Sequence, residues 1–389
     1  MSFLKIEQLN ACPPMVTPVT ISFKKCGSYE IIELRKQVDA LLEPFEKLLK
    51  KIKRCDRVLL KPNLLSGHPS EHAVTTHPKF LEAVLQFFID LGTKPLIGDS
   101  PSPVFKNMGR LFEVTGLSDL ERRYNVPLIF FDKTGWEKKS INGKDYPIAR
   151  IIEEVDYIIN LPKVKTHILT LLTLGVKNMY GVIPGFKKTL LHKELPNSVA
   201  FSEMNLDVYL LSKPLLTIYD GIVGMDGEGP AAGNPVALNF MLATDCAITG
   251  DMFITELLGI EKRRFPLYLA VEKSGIEVDM KYKFFGDPLE TYERKIIRLP
   301  GTNRLNFLPS ILTKTVGTQI WARPRIITKK CANCGKCMEA CPAAAIKKGV
   351  VRPYFNYRRC INCFCCVEVC PYRAVEIKVS PLVKLGMIL

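Results

Sequence analysis

The 389-residue chain predicts an α/β fold, a mainly parallel sheet covered by helices, followed by a small α+β module. Three observations carry this. Short apolar runs alternate with amphipathic stretches over the first 300 residues, as strands joined by crossover helices do. Most of those runs stop at Pro, Gly, Asp or Lys, the residues of turns. The last quarter then changes character, with two four-cysteine runs and an excess of basic residues. On this reading residues 1–300 form the sheet domain, 301–326 a linker with an amphipathic segment, 327–379 the cysteine-bearing module and 380–389 an apolar tail.

Taken in order, residues 19–23 alternate as a strand. From 29 to 52, Ile, Leu and Phe recur at helical spacing with lysines between, which predicts one amphipathic helix. A strand at 57–60 ends at Lys61-Pro62-Asn63. After a polar loop, His77-Pro78 opens a helix to Leu91, with Pro suited to the first turn. A strand at 94–97 closes at Gly98-Asp99-Ser100-Pro101. Helices around 104–114 and up to Tyr124 precede a strand at 127–131. Residues 138–148 read as a hairpin turned by Asn142-Gly143. The strand at 157–161 ends at Pro162-Lys163, and 163–188 is rich in Lys, Thr and Gly. A strand at 215–219 closes at Asp220-Gly221, and a glycine-rich acidic loop runs to Pro235. A strand at 238–243 and a helix at 245–257 continue the alternation, and 280–299 is less regular.

The cysteine runs are Cys331-x2-Cys334-x2-Cys337-x3-Cys341-Pro342 and Cys360-x2-Cys363-x2-Cys366-x3-Cys370-Pro371. Both fit C-x2-C-x2-C-x3-C-P, the run that holds a [4Fe–4S] cluster in bacterial-type ferredoxins, where the fourth cysteine serves the other cluster. This predicts two [4Fe–4S] clusters, the first on Cys331, Cys334, Cys337 and Cys370, the second on Cys360, Cys363, Cys366 and Cys341. Zinc sites favour separated pairs of ligands, and disulfides need an oxidising compartment. Cys365 falls outside the spacing, and Phe364 stands where such runs often carry a small residue. About fifty residues, 327–377, resemble the two-cluster ferredoxin family.

Of the thirteen cysteines, Cys12, Cys26, Cys55, Cys246 and Cys365 remain outside the ligand sets, scattered as buried or free thiols are. That usage and the lack of a secretory signal imply a reducing cytoplasm. The formal net charge is +15, and 301–389 holds fifteen Lys/Arg against three Asp/Glu. Cations near thiolate-held clusters and an acidic redox partner protein account for this best. An anionic membrane surface ranks second and nucleic acid last, because no reader motif is present. No apolar run of eighteen residues exists to span a bilayer. The segment 305–321 and the tail leave room for peripheral membrane contact.

In an open α/β sheet, ligands bind beyond the carboxyl ends of the strands. The turns there carry Lys61 and Asn63, Asp99 and Ser100, then Lys163, Lys165, Thr166 and His167, then Lys177 and Asn178, and last Asp220, Asp226 and Glu228. Lysines, hydroxyls and amides in this set suit an anionic small molecule. His167, Asp220 and Glu228 are the candidates for proton handling. No Walker or GxGxxG fingerprint is present. The loop around Asp226 and Glu228 reads equally as a connector facing water. His77 reads as a helix cap, and His68, His72 and His192 as solvent-facing.

The order KPN, a Thr/His-Pro helix start, GDSP, K-x-K-T-H, LGVKN-x-x-G and DGI-x-x-M-x-G-x-GP-x-x-G resembles the DUF362 family over about 58–247. The resemblance implies kinship of fold and association with iron–sulfur proteins, and it supplies no catalytic residue. Three functions follow as expectations. The first is an electron-transfer protein or reductase component passing single electrons through the clusters to a ligand or partner at the large domain. The second is a non-enzymatic docking and wiring module. The third is a membrane-peripheral redox protein acting on a lipid or quinone-like substrate.

Overall fold

The computed structural model describes residues 18–102, 104–105, 107–185, 187–195, 197–276, 281–301 and 321–381. Cys12, the segment 305–321 apart from Trp321, and the tail beyond Pro381 lie outside them. Sixteen strands occur among the described residues. They are β1 (Val19–Lys25), β2 (Arg57–Pro62), β3 (Lys94–Asp99), β4 (Leu128–Phe130), β5 (Trp136–Ile141), β6 (Lys144–Ala149), β7 (Tyr157–Leu161) and β8 (Lys163–His167). There follow β9 (Leu171–Thr173), β10 (Leu216–Asp226), β11 (Asn234–Thr244), β12 (Tyr282–Gly286), β13 (Ala322–Ile326), β14 (Ile346–Lys347), β15 (Tyr354–Phe355) and β16 (Val375–Val379).

The central sheet runs β12-β1-β11-β10-β7-β2-β3-β4, with β8 pairing β10 and β9 pairing β8. From β10 through β7, β2 and β3 to β4 all neighbours are parallel. The antiparallel strand β11 interrupts this order and pairs both β10 and β1. Alternate residues of β2 show why both faces need cover. Val58 and Leu60 pack with the helices Ile31–Leu42 and Pro78–Asp90 on one face. Leu59 packs on the other face, in the core that holds helices Ser198–Ser212 and Ala247–Leu257. A strand apolar on both faces is what a helix-covered parallel sheet demands.

The differences from the sequence reading have local causes. The pattern at 29–52 is not one helix: Pro44 sits in a 3₁₀ turn, Glu43–Phe45, between Ile31–Leu42 and Glu46–Leu49, because proline cannot donate within a helix. The basic stretch after Pro162 is strand β8, and all five of its residues are buried. The glycine-rich stretch after Asp220 is also strand, since β10 continues to Asp226 against β11 with a register shift between Gly221 and Val223. Asp220 therefore lies mid-strand. Helices Ser198–Ser212 and Pro266–Ser274 were not anticipated. Ala322–Ile326, assigned by sequence to the linker, is strand β13 of the second module, paired from Ala322 with Val379 to Ile326 with Val375.

Candidate functional site

The eight cysteines of the two runs ring two cavities. Cys331, Cys334, Cys337 and Cys370 line one. Cys341, Cys360, Cys363 and Cys366 line the other. The two cages are built alike. Asn333 and Asn362 both adopt left-handed backbone, with φ 50° and 54°, as do Ala344 and Arg373, both at 47°. Gly335 and Phe364 start the short helices Lys336–Glu339 and Cys365–Glu368 at φ 80° and 59°. The backbone N–H of Ala345 donates to Cys341 Sγ at 3.2 Å, and that of Ala374 to Cys370 Sγ at 3.2 Å. Amides aimed at sulfur favour a thiolate, and thiolates in sets of four are the donors a [4Fe–4S] cluster takes. Among the described residues, no three His, Cys, Asp or Glu side chains close on a single ion; the thiols surround a volume instead. The set therefore fits a cluster. Phe364 walls the second cage in a conformation bulky residues seldom adopt.

A third cavity, of about 100 Å³, lies where the module meets the strand ends of the sheet. Asn63 after β2, Asp99 and Ser100 at the end of β3, and Lys177 and Asn178 of the segment after β9 line it. Parallel neighbours thus bring residues far apart in sequence to one rim. Lys61 lies beside it, fully buried and 2.8 Å from Asp99. Asp99 also accepts from the backbone N–H groups of Leu64 and Ser100, at 2.9 and 2.8 Å. Asn63 donates to Asn178 Oδ1 at 2.9 Å, and Asn178 donates to Asn160 Oδ1 at 2.8 Å. Gly181 explains the glycine of LGVKN-x-x-G, since a Cβ there would strike the Asp99 carboxylate and the Lys61 ammonium.

The module closes the cavity with Ala340, Cys365, Glu368 and Val369. Cys365, outside both ligand sets, lines this cavity and the second cage alike. His167 reaches the module from β8. Its Nδ1 accepts from the N–H groups of Leu169 and Thr170, at 3.1 and 3.3 Å, so the ring proton sits on Nε2. That atom lies 3.5 Å from Glu368 Oε1, too far for a good hydrogen bond, and Oε1 keeps no hydrogen-bond partner. Burial, reinforced by Lys177, holds the His167 ring well below its usual pKa.

Other lining groups also lack partners: Asn63 Oδ1, Thr173 Oγ1 and His192 Nδ1 are buried with none. Buried polar atoms are normally paired, so unpaired ones on a cavity wall are open to a water or a ligand. Lys177 has no acidic partner within ion-pair distance among the described residues. Lys188 points its ammonium at the Ser100 carbonyl, and burial lowers its pKa to about 8. Lys188, His192, Thr173, Cys365 and Glu368 were missed or misread in sequence. His192 is buried, stacked on Phe201 with ring centroids 4.3 Å apart. Glu368 was hidden inside a cysteine run already explained by its ligands.

Several candidates stand elsewhere. Asp220 is not on the rim. It is fully buried and saturated by Lys163 at 2.7 Å, the Tyr29 hydroxyl at 2.8 Å and the His77 N–H at 2.9 Å. Asp226 is clamped by the Arg298 guanidinium at 2.9 and 3.0 Å, which leaves it no role as a free carboxylate. Glu228 accepts from the Gly301 N–H at 2.8 Å, away from the cavity. Lys165 donates to the Val74 carbonyl and Thr166 to the Met225 carbonyl, inside the strand layer and off the lining. His77 caps its helix by accepting from Lys79 N–H at 3.2 Å and stacks on Tyr29 at 3.6 Å. His68 is buried too, paired with Ser66 Oγ at 2.7 Å.

An α/β domain whose strand ends abut a module with two cysteine cages defines a class, the iron–sulfur protein with an electron-transfer role. Family models agree with both parts. "Domain of unknown function (DUF362)" matches residues 58–256 and a "4Fe-4S dicluster domain" matches 323–371. The chain belongs to the DUF362 family, joined to an iron–sulfur domain of the ferredoxin type. It is 32% identical over 258 residues to the thylakoid-associated protein sll1697 of Synechocystis sp., covering 66% of this chain and 80% of the relative. Among solved structures, the lactate racemase apoprotein from Thermoanaerobacterium thermosaccharolyticum matches with a TM-score of 0.40 at 13% identity. That match covers 61% of this chain and 57% of the racemase chain.

Proposed function

We propose that the chain is a redox component in which single electrons pass, through two [4Fe–4S] clusters on the cysteine sets above, to a small anionic ligand in the seam cavity. When bound, the clusters supply reversible one-electron transfer. The rest falls to the chain's own side chains. Lys177 and Lys188 attract and orient the anionic group, and Thr173 and Asn63 hydrogen-bond its remaining polar atoms. Helix Lys187–Glu194 and the module exclude water from it. On this reading Glu368, a cavity-wall residue whose Oε1 is unpaired, exchanges the proton, with His167 beside it across the seam.

One observation carries this reading: Cys365 belongs to the wall of the cavity and to the wall of the second cage. A ligand there is one residue from the sulfur cage. A polar rim with unpaired atoms supports a ligand site over pure wiring, which a closed or apolar rim would favour. The test is calorimetric titration of the anaerobic protein with acetate and with inorganic phosphate. Lys177→Met is expected to weaken binding of the preferred anion roughly tenfold or more, as loss of a desolvated charge contact does. It should also abolish any change that anion makes to the electron paramagnetic resonance of the reduced clusters. Identical binding and spectra in wild type and variant would remove the cavity from the mechanism.

Peripheral membrane contact is a second reading. The relative bearing the name thylakoid-associated favours it. No helix among the described residues is long and apolar enough to cross a membrane. Flotation with anionic vesicles at low salt tests it, and an absence of binding removes it.

A further inference from the structure

The β14–β15 hairpin joins the two cysteine runs. From 346 to 359 the sequence carries five Lys/Arg and no acidic residue. Lys347, Lys348, Arg358 and Arg359 have no acidic partner within ion-pair distance among the described residues. At the tip, Val350 is 100% exposed and Val351 73%, with Tyr354 at 58%. The tip is held in place. A Cβ on Gly349 would strike the Arg352 carbonyl, and Arg352 itself donates to Thr328 Oγ1 and, at 3.3 Å, to the Ile326 carbonyl.

The same hairpin walls both cages. Ile346 and Phe355 line the second and Pro353 the first. A small apolar centre, a cationic rim and an aromatic beside them are the make-up of a transient protein interface. We infer that the β14–β15 hairpin is the docking surface for an acidic single-electron carrier protein, which loads the module there. The inference rests on the reading that the cages hold clusters. In the step, the carrier is oxidised by one electron and the module is reduced by one, with no bond made or broken and no proton moved. An anionic lipid surface would meet the same cations, but it has no electron to give, and the hairpin's place against both cages favours the carrier.

The test uses the full chain, purified anaerobically. Reduced flavodoxin, an acidic one-electron carrier, is mixed with the oxidised protein, and loss of cluster absorbance is timed at low and high salt. Reduced methyl viologen, a small cation, serves as the comparison donor. In parallel, a carbodiimide joins contacting lysines and carboxylates at zero length, and mass spectrometry maps the links without reference to cluster content. With Lys347→Glu and Lys348→Glu combined, reduction by flavodoxin is expected to slow about tenfold at low salt and to lose its salt dependence. Reduction by methyl viologen should not slow. Wild-type links should fall on Lys347 and Lys348. Val350→Ser with Val351→Ser should slow flavodoxin while leaving the salt dependence intact.

An unchanged flavodoxin rate in the charge-reversed variant, or links mapping elsewhere, overturns the assignment. So does a variant that loses only its binding to phosphatidylserine vesicles, which would make the hairpin a lipid contact. Iron-free protein that still links to flavodoxin through Lys347 and Lys348 would overturn the electron-transfer reading while supporting the docking surface.

Discussion

Lys188 shows how burial sets a working range for the seam. Burial lowers its ammonium to about 8, against the pull of Asp99 and Asp132, with Lys61 and Lys177 also facing it. If the charged form holds the ligand, anion affinity is full below that value. It falls as pH rises through 8, by up to about tenfold per pH unit where only the ammonium binds. Titration with inorganic phosphate from pH 6.5 to 9.5 checks this, and Lys188→Met should flatten the profile. Cys365 makes the complementary point. Its exclusion from the ligand sets rests on spacing alone in the sequence, and its importance comes from where the fold puts its side chain.

Among elements, the contact of helix Pro78–Asp90 with helix Leu117–Tyr124 has a measurable acid limit. Glu82 is pushed up by burial, yet the Arg123 guanidinium and the Tyr124 hydroxyl outweigh this and bring its carboxyl from 4.5 down to about 2. A carboxylate lowered by folding stabilises above its unfolded pKa and loses that contribution as protons bind. The stability of the wild type should therefore fall between pH 4.5 and 2 more steeply than that of Glu82→Gln, as urea midpoints will show. The elements also show what was legible in the sequence. The strands at 57–60, 94–97 and 157–161 were readable because their apolar runs end at Pro or Gly-Asp, and the ends of the first two do form the rim. β8 was not, since Lys163, Lys165 and His167 read as residues of a strand-end turn until Asp220, Val74 and Glu368 are placed beside them. The glycines of β10 suggested a loop, and only pairing with β11 overrides that. The grouping of the eight cysteines around two cavities was readable because their spacing sets it. His192 and Glu368 belong to the site through tertiary contacts that no local pattern records.

For the whole molecule, the division into ligand sets predicts metal content. Cys366→Ser is expected to lower iron from about eight atoms per chain toward about four, if each set of four thiolates holds its own [4Fe–4S] cluster. Cys365→Ser should leave iron unchanged. Iron and acid-labile sulfide assays after anaerobic purification decide both, and zinc in place of iron would end the redox account.

The seam cavity has further meaning at this scale. Its floor comes from the sheet and its roof from the module, so neither half encloses the space alone. Separated, the sheet domain would leave its cavity lysines open to water, and the module would present Cys365 and Glu368 to solvent. If the proposed reading holds, binding and electron delivery are inherited as one piece, and a relative lacking either part has to bring it from another chain.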